Sequence, residues 1–197
     1  MKTKNSNPAN LLAGKSVQPI IVLYFQINHL KQLYRQGWLR KGRDIREEFC
    51  ESVADHSFGM TLLAIFICEL YFPYLDVLKV VMMCLLHELG EIKNGDPCSP
   101  TNHKDKLEKY HNEQRAITEL LRDIPDQDKY LALWEEFENG DSAEAHLVRQ
   151  LDKLEMAFQS KIYALQHGKN LQEFIDDVRT HLKSKNLLKI LAELETI

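Results

Sequence analysis

The sequence predicts an all-α protein folded as a single domain. Hydrophobic residues recur with a helical period along almost all of the 197 residues, and no strand-type alternation of useful length occurs. Hydrophobic residues make up 44% of the chain and charged residues 27%, the balance of one compact domain that can line a pocket. We expect residues 1–16 to form a flexible N-terminal lead-in and residues 17–197 to form the domain.

The first helix is indicated by apolar residues at positions i, i+4, i+7 and i+10, and we expect it to end near Gly37. A polar, arginine-rich segment from Arg40 to Glu48 then predicts a loop. The apolar residues of the first helix are Leu23, Ile27, Leu30 and Leu33.

Two central helices are predicted from about residue 53 to 72 and from about residue 76 to 91. Both are apolar on nearly all sides, which is typical of fully buried helices. No apolar run reaches the roughly 18 residues of a membrane span. His56 stands at the start of the first of these helices and His87 near the end of the second.

Further helices with clear breaks between them are predicted in the second half of the chain. A loop containing Gly95 precedes a polar amphipathic helix from about residue 103 to 122, which ends before a proline. A short helix from about residue 126 to 137 ends at an Asn-Gly pair, and Gly140 suits its C-cap.

Ser142 is placed to cap the N-terminus of a long helix. The apolar residues of this helix form a core stripe, and Asp152 lies one position beside it. Two C-terminal helices, at about 170–183 and 185–195, close the domain. The stripe consists of Leu147, Leu151, Leu154 and Phe158.

Charge and cysteine content argue against several classes of protein. The net charge is −4 with acidic and basic residues interspersed, so the chain lacks the basic field that captures nucleic-acid polymers. The N-terminus has no continuous apolar region, so we expect neither a secretory signal nor membrane association. The four cysteines lack C-x-x-C spacing, which fits free thiols in a reduced cytoplasmic protein. We expect a small-molecule partner.

Two histidines and several carboxylates stand at positions that favour convergence on one divalent metal ion: His56, His87, Glu88, Glu91, Asp96 and Asp152. Such a mixed nitrogen and oxygen site suits Mn²⁺, Co²⁺, Fe²⁺ or Zn²⁺, and Mg²⁺ less naturally. A bound ion orients a phosphate and activates water, so the set points to metal-assisted hydrolysis. Glu91 lies four residues after His87 on the same helix face and is a candidate general acid or base.

Each of these residues also has an ordinary structural interpretation. A histidine at a helix end often caps the helix or fills the core, and Asp152 alone suits an ion pair with Lys153 or Arg149. Charges at the ends of two strongly apolar helices favour the functional interpretation, because burying an unpaired carboxylate costs several kcal/mol. The segment HELGE differs from the H-E-x-x-H zinc-protease motif, because position 91 is Glu91 rather than histidine. We reject a metalloprotease.

The order of His56, His87-Glu88 and Asp152 resembles the H…HD…D signature of the HD-domain metal-dependent phosphohydrolases. Within that family the chain is similar to the branch of HD domain-containing protein 2 and the YfbR-type 5′-deoxynucleotidases, from roughly residue 20 to 195. The segments that carry the resemblance are RQGW (35–38), ESVADHS (51–57), LLHELGEIKNGD (85–96), LWEEFENGDSAEAHLVRQLDKLEMAFQ (133–159) and LQEFIDD (171–177).

The resemblance implies a helical bundle, usually a homodimer, that hydrolyses nucleoside 5′-monophosphates, often deoxy ones, with Mn²⁺ or Co²⁺. By position it makes Glu91 the acidic residue that assists the water or the leaving group, and Asp96 the aspartate beside the substrate. Trp38 matches the tryptophan that packs near the sugar. The metal ligands implied are His56, His87, Glu88 and Asp152.

Three departures from the family pattern bear on activity. Glu88 stands where the signature has aspartate, and its extra methylene moves the carboxylate by roughly 1.5 Å. Gly37 replaces the arginine that precedes the tryptophan in the bacterial branch, so phosphate or sugar contacts are assigned to the nearby cations. The segment 41–49 is a few residues longer than in close relatives, and it either reshapes substrate choice or is an inert loop. The nearby cations are Arg35, Arg40 and Lys41.

The favoured interpretation is a metal-dependent phosphomonoesterase acting on a nucleoside 5′-monophosphate. The alternative is a catalytically impaired HD-fold protein that binds nucleotides or other proteins, because Glu88 has altered its metal site. An enzyme of cyclic dinucleotides or alarmones is disfavoured, because the chain lacks the additional metal ligands and segments that those branches carry.

Overall fold

The computed structural model describes residues 2–40, 45–96 and 103–197, and within these ranges the protein is all-α, as predicted. Extended pairing in the described chain is confined to two isolated bridges, Thr3 with Leu33 and Tyr34 with Ser52. The α-helices are α1 (Pro19–Ile27), α2 (Val53–Tyr71), α3 (Val77–Leu86), α4 (Glu91–Asn94), α5 (His103–Leu121), α6 (Gln127–Asn139), α7 (Ala143–His167), α8 (Gln172–His181) and α9 (Lys185–Glu195).

The long helix α7 is the centre of the bundle, and α2, α3, α6, α8 and α9 pack against it. It begins where predicted, because the Ser142 hydroxyl accepts a hydrogen bond from the Ala145 backbone N–H at 3.1 Å. Its core stripe is also confirmed, with Phe158 partly buried and the three leucines buried. Gly140 ends α6 in the left-handed conformation (φ 74°), as the Asn-Gly pair predicts.

The prediction for the first helix is wrong at its C-terminal end. Helix α1 ends at Ile27 and a 3₁₀ turn follows at Asn28–Lys31. The chain is then extended from residue 33 to residue 35, and a second 3₁₀ turn covers Gln36–Leu39. Leu30 and Leu33 are buried as expected, but through this turn and extended segment. The extended backbone leaves the Leu33 carbonyl free to accept from the Val53 N–H at 2.9 Å, which holds the segment against the start of α2.

The two central helices are not fully buried, which corrects a second prediction. Helix α3 ends at Leu86, and Glu91–Asn94 forms a separate turn of helix. Helix α2 packs on α3 and α7 with one face only, because an apolar composition does not specify how many neighbours a helix has. Its outer face carries a stripe of exposed apolar side chains: Phe58 (64% exposed), Leu62 (42%), Phe66 (61%) and Leu70 (70%).

By length and composition alone, helix α2 is also long and apolar enough to cross a membrane. Within its most apolar stretch of 18 residues, 44% is buried in the protein. Core helices of soluble proteins pass the same test. In this chain α2 packs on two neighbouring helices and carries His56 inside the domain.

The described part of the N-terminal lead-in lies along the segment 32–36. The Lys4 N–H donates to the Gln32 carbonyl at 2.7 Å, and the Lys2 N–H donates to the Gln36 side chain at 3.0 Å. A 3₁₀ turn at Pro8–Leu12 follows. The flexibility of residues 1–16 stays a prediction. The cysteines at positions 50, 68 and 84 are buried and free, and Cys98 lies outside the described residues.

Candidate metal centre

A capping box places His56 in the first turn of α2. The Ser52 hydroxyl accepts from the Asp55 N–H at 3.2 Å, and the Asp55 carboxylate accepts from the Ser52 N–H at 2.8 Å. These paired bonds satisfy two N–H groups at the helix N-terminus and fix where α2 begins. The segment SVAD therefore determines the position of the imidazole that follows it.

The second histidine lies at the end of α3, where the chain turns sharply. The His87 N–H donates to the Met83 carbonyl at 3.0 Å, and Glu88 follows outside the helix. Gly90 permits the turn, because a Cβ there would lie 2.6 Å from Cβ of Glu113 on α5. This close approach of the two helices places Glu91, the first residue of α4, at the border of the cavity described below.

The four residues predicted as metal ligands converge in space. Each offers one ligand atom, and these atoms all lie within 4.8 Å of one another. His56 Nε2 lies 3.2 Å from Asp152 Oδ1, and His87 Nε2 lies 3.4 Å from Glu88 Oε1. Neither Nε2 atom makes a well-aligned hydrogen bond to any group in the described part of the chain. Buried polar atoms without a partner are rare, and a cation satisfies two such lone pairs at once.

Hydrogen bonds on the far side of each ring orient these lone pairs. His56 Nδ1 lies 2.5 Å from Glu155 Oε2, and His87 Nδ1 lies 2.8 Å from the Cys84 carbonyl oxygen. Both acceptors require a proton on Nδ1, which leaves Nε2 free as a ligand. The donor set therefore fits a divalent ion bound by two imidazoles and two carboxylates.

The charges of the cluster depend on protonation. Burial and Arg35 lower the pKa of His56, but the carboxylates of Glu155 and Asp152 outweigh them and raise it to about 10. Burial alone would raise the pKa values of Glu88 and Asp152, yet the neighbouring positive charges hold both well below their usual range. Both carboxylates are thus ionised near neutral pH. A divalent cation competes with the proton on His56, so its binding releases protons.

Two cations of the chain contact the ligand carboxylates. Arg35 Nη1 donates to Glu88 Oε1 at 2.6 Å, and its Nη2 lies 3.9 Å from Asp152 Oδ1. Lys153 Nζ lies 2.9 Å from the other oxygen of Asp152. Arg35 was predicted from sequence as a phosphate or sugar contact, and the structure places it at the cluster itself.

Glu91 and Asp96 lie beside the cluster. Glu91 is 3% exposed, and its Oε2 has no hydrogen-bond partner among the described residues. Burial, followed by the charges of Glu88 and Asp96, raises the pKa of Glu91 well above its ordinary value, which favours the protonated form of this carboxyl in the absence of a cation. Asp96 follows Gly95 (φ 72°) and accepts a hydrogen bond from the Gln36 N–H at 2.7 Å.

The cluster lies at a cavity of about 560 Å³. Trp38 borders it but is only 2% exposed, because its Nε1 donates to Glu51 at 2.7 Å and its ring packs edge-on against Tyr163. Arg40 is exposed and also borders the cavity, whereas Lys41 lies outside the described residues. The wall thus combines the predicted cations with an apolar side formed by Trp38, Phe137, Met156 and Phe174.

Several residues at the cavity were not singled out from the sequence. Glu155 lies three residues after Asp152 on α7, so helical spacing was a usable signal for it. Lys153 was assigned only as a structural ion-pair partner, and it borders the cavity. Lys109 reaches the cavity from α5. Glu51 is half-buried and accepts the hydrogen bond of Trp38 Nε1, and the sequence offers no signal for either residue.

A family profile described as the HD domain matches residues 27–194 of this chain. Curated relatives include 5′-deoxynucleotidase HDDC2 of Danio rerio, 34% identical over 173 residues that cover 85% of this chain and 82% of the relative. The human protein of the same name is 29% identical over 187 residues, covering 93% of this chain and 88% of the relative. These similarities extend over the segments that supply the clustered side chains.

Two solved structures resemble this protein in fold. A conserved hypothetical protein from Pyrococcus furiosus has a TM-score of 0.69 and 30% identity, covering 90% of this chain and 99% of that chain. A protein from Magnetospirillum magnetotacticum described as a predicted metal-dependent phosphohydrolase has a TM-score of 0.64 and 24% identity, covering 89% and 91%. The latter similarity shows a shared fold alone.

Proposed function

Because the chain belongs to the HD-domain family, we propose that it is a metal-dependent phosphohydrolase that removes phosphate from nucleoside 5′-monophosphates, deoxynucleotides included. The named relatives are 5′-deoxynucleotidases. The observation that carries the proposal is the pair of imidazole Nε2 atoms that face two ionised carboxylates at a cavity without forming well-aligned hydrogen bonds to the described residues.

The proposed cofactor is one divalent ion held by His56, His87, Glu88 and Asp152. Among possible ions we favour Mn²⁺ or Co²⁺, because imidazole and carboxylate ligands together suit these metals better than Mg²⁺. When bound, such an ion supplies an activated water and screens the charge of the phosphate.

The protein's own residues then bind the substrate and move a proton. Arg35 and Lys153 border the cavity beside the ligands and are placed to bind phosphate oxygens, with Arg40 nearer the rim. Glu91 holds a proton in its buried environment and is placed to deliver it to the leaving 5′-oxygen. Asp96 holds the Gln36 backbone, so it keeps the segment that carries Arg35 in position while also bordering the cavity.

The nucleoside is proposed to lie against the apolar wall. Trp38 and Phe174 form one side of the cavity, with ring centroids 4.3 Å apart, and Phe137 forms part of the same lining. The ring of Trp38 is held by Glu51 and is 2% exposed, so it fixes the wall against which the sugar is proposed to lie. Lys41 remains a proposed contact at the rim.

A catalytically impaired binding module is not favoured. Despite the additional methylene, the Glu88 carboxylate reaches the cluster and lies 3.4 Å from His87 Nε2. The carboxyls of Glu91 and Asp96 also lie at the same cavity, as a proton-transfer mechanism requires. Glutamate at position 88 is therefore consistent with a working site.

The test is phosphate release from ribo- and deoxyribonucleoside 5′-monophosphates by chelator-stripped protein, with Mn²⁺, Co²⁺, Mg²⁺ or Zn²⁺ restored separately. We expect release only with metal, and its loss in His87→Ala. His111→Ala, which removes an exposed imidazole on α5, is the matched control and keeps activity. Release that persists without metal, or that survives in His87→Ala, would contradict the proposal.

We also propose that the protein is a cytoplasmic homodimer in which residues 17–197 form the domain. The exposed stripe on α2 supports self-association, because its four apolar side chains recur every four residues and carry no charge. An uncharged stripe of this kind is complementary to itself across a two-fold axis.

A further inference from the structure

We infer that Arg35 competes with the metal ion for one oxygen atom of Glu88, so that this arginine and the length of the Glu88 side chain together determine metal affinity. The inference rests on the proposed function in that the ion concerned is the one assigned to this enzyme. It assigns Arg35 a role before substrate binds, beyond any contact with phosphate.

One oxygen of Glu88, Oε1, contacts both the imidazoles and Arg35. This oxygen lies 3.4 Å from His87 Nε2 and 3.9 Å from His56 Nε2, so it is the atom that faces both imidazole lone pairs. The same oxygen accepts the hydrogen bond from Arg35 Nη1 at 2.6 Å. The metal-facing atom of Glu88 is therefore the atom that the guanidinium binds.

The second nitrogen of the guanidinium approaches the other ligand carboxylate, that of Asp152, in the same way. Arg35 Nη2 lies 3.9 Å from Asp152 Oδ1, and that oxygen lies 3.2 Å from His56 Nε2. The two Arg35 nitrogens thus approach the two oxygens that an ion between these ligands would need. The fork of the guanidinium suits such a pair of acceptors.

Competition follows from charge and burial. The side chains of Arg35 and Glu88 are 14% and 11% exposed, so water screens their charges weakly. A guanidinium and a divalent ion repel each other, and one oxygen cannot contact both at full strength. Metal binding therefore weakens the contact between Arg35 and Glu88, and the observed affinity is lowered by the cost of that change.

The length of Glu88 makes the contact possible. Aspartate at this position would withdraw the carboxylate by roughly 1.5 Å, which breaks a hydrogen bond of this length while leaving an oxygen ligand near the imidazoles. The glutamate at position 88 and the arginine at position 35 are therefore coupled. We expect their effects on metal binding to be non-additive.

Titration of chelator-stripped protein with Mn²⁺ in a calorimeter tests the inference. Arg35→Gln removes the competing charge, and we expect Mn²⁺ to bind about tenfold more tightly than in the unmodified protein. Arg35→Lys, which retains charge on a more flexible stem, should give a smaller gain. Arg40→Gln, a matched change to an exposed cation of the same cavity, should stay within about twofold. Unchanged or weaker binding in Arg35→Gln would overturn the inference.

A double-mutant cycle separates direct contact from general repulsion. In the Glu88→Asp background, Arg35→Gln should change Mn²⁺ affinity by less than about twofold, because the contact is already lost. If Arg35→Gln still raised Mn²⁺ affinity about tenfold in the Glu88→Asp background, the inference would be overturned. The effect would then come from long-range charge repulsion and not from the contact with Glu88. If no variant binds Mn²⁺, the proposed metal site itself fails, and the inference fails with it.

Melting temperatures provide a readout independent of affinity and activity. Without metal, Arg35→Gln should melt below the unmodified protein, because Glu88 and Asp152 lose a cationic neighbour. Added Mn²⁺ should then raise its melting temperature by more than it raises that of the unmodified protein. Equal shifts in the two proteins would contradict the competition.

Discussion

Glu155 accepts the Nδ1 proton of His56 at 2.5 Å, and this pair is buried between α2 and α7. The bond fixes the ring so that Nε2 points at the ligand cluster. It also supplies negative charge behind the imidazole, which makes the ring a stronger ligand. A side chain outside the ligand set thus orients one of the ligands.

Glu155→Gln should weaken Mn²⁺ binding by about 10- to 100-fold, because the amide orients the ring less firmly and lacks the carboxylate's charge. Calorimetric titration of chelator-stripped protein measures the change. Glu193→Gln, an exposed carboxylate on α9, is the control and should bind as the unmodified protein does. Equal affinity in Glu155→Gln would show that the pair has no role in metal binding.

Glu91→Gln should lower turnover by about 10²- to 10⁴-fold, because the amide cannot donate a proton to a leaving oxygen. Metal affinity should change by less than about twofold, since Glu91 is not assigned as a ligand. Phosphate release at saturating Mn²⁺, with calorimetry on the same sample, separates the two effects. A loss confined to metal binding would reassign Glu91 to the ligand set.

Glu113 should make stability depend on pH in a defined direction. Burial raises its pKa to about 7 despite the ion pair with Lys109 at 3.0 Å, so the folded protein binds more protons than the unfolded chain between about pH 4.5 and 7. The contribution of this carboxyl to stability is therefore present below pH 4.5 and is lost as pH rises through 7.

The change is measured against Glu113→Gln, which cannot titrate. The free energy of unfolding of the unmodified protein, relative to this variant, should fall by up to about 3 kcal/mol between pH 4.5 and 8. Urea titrations at each pH give the difference, and the other titrating groups cancel in it. A difference that stays constant or rises with pH would contradict the assignment.

Gly90→Ala should destabilise the fold by about 1–3 kcal/mol, because the new Cβ would lie 2.6 Å from Glu113 Cβ and 3.1 Å from its Cα. Backbone and Cβ atoms cannot yield as a flexible side-chain end does, so α4 must move away from α5. Denaturant unfolding measures the loss. A variant as stable as the parent would show that this contact is not tight in solution.

The stripe on α2 predicts the oligomeric state. Phe66→Glu places a charge in the centre of a surface that we propose to be shared by two copies, and it should convert a dimer into a monomer in light scattering. Tyr74→Glu, another exposed aromatic change outside the stripe, should leave the dimer intact. A monomeric parent protein would refute the proposed homodimer.

Local signals in the sequence predicted the fold and much of the site. The Asn-Gly pair at Gly140 and the cap at Ser142 each depend on residues within one turn, and each holds in the structure. Helical period also predicted that α7 would bury its stripe beside Asp152. Interactions between residues close in sequence determine these features, so a single sequence is enough to predict them.

Features that depend on distant partners were not predictable in the same way. Leu33 fits a helical stripe, but its carbonyl accepts a hydrogen bond from the Val53 N–H, and only the fold brings these two residues together. The exposed face of α2 depends on how many helices pack around it. Arg35 was expected at the substrate, and its contact with Glu88 arises from an extended segment that the helical period did not reveal.

The position of Trp38 has an optical consequence. The chain has two tryptophans, and Trp134 is 1% exposed and stacked on Tyr110, away from the cavity that Trp38 borders. Indole emission responds to the polarity and charge of its surroundings, so a nucleotide entering the cavity changes the fluorescence of one tryptophan and spares the other. The natural chain thus carries its own reporter of cavity occupancy, and a Trp134→Phe background isolates that signal without a dye.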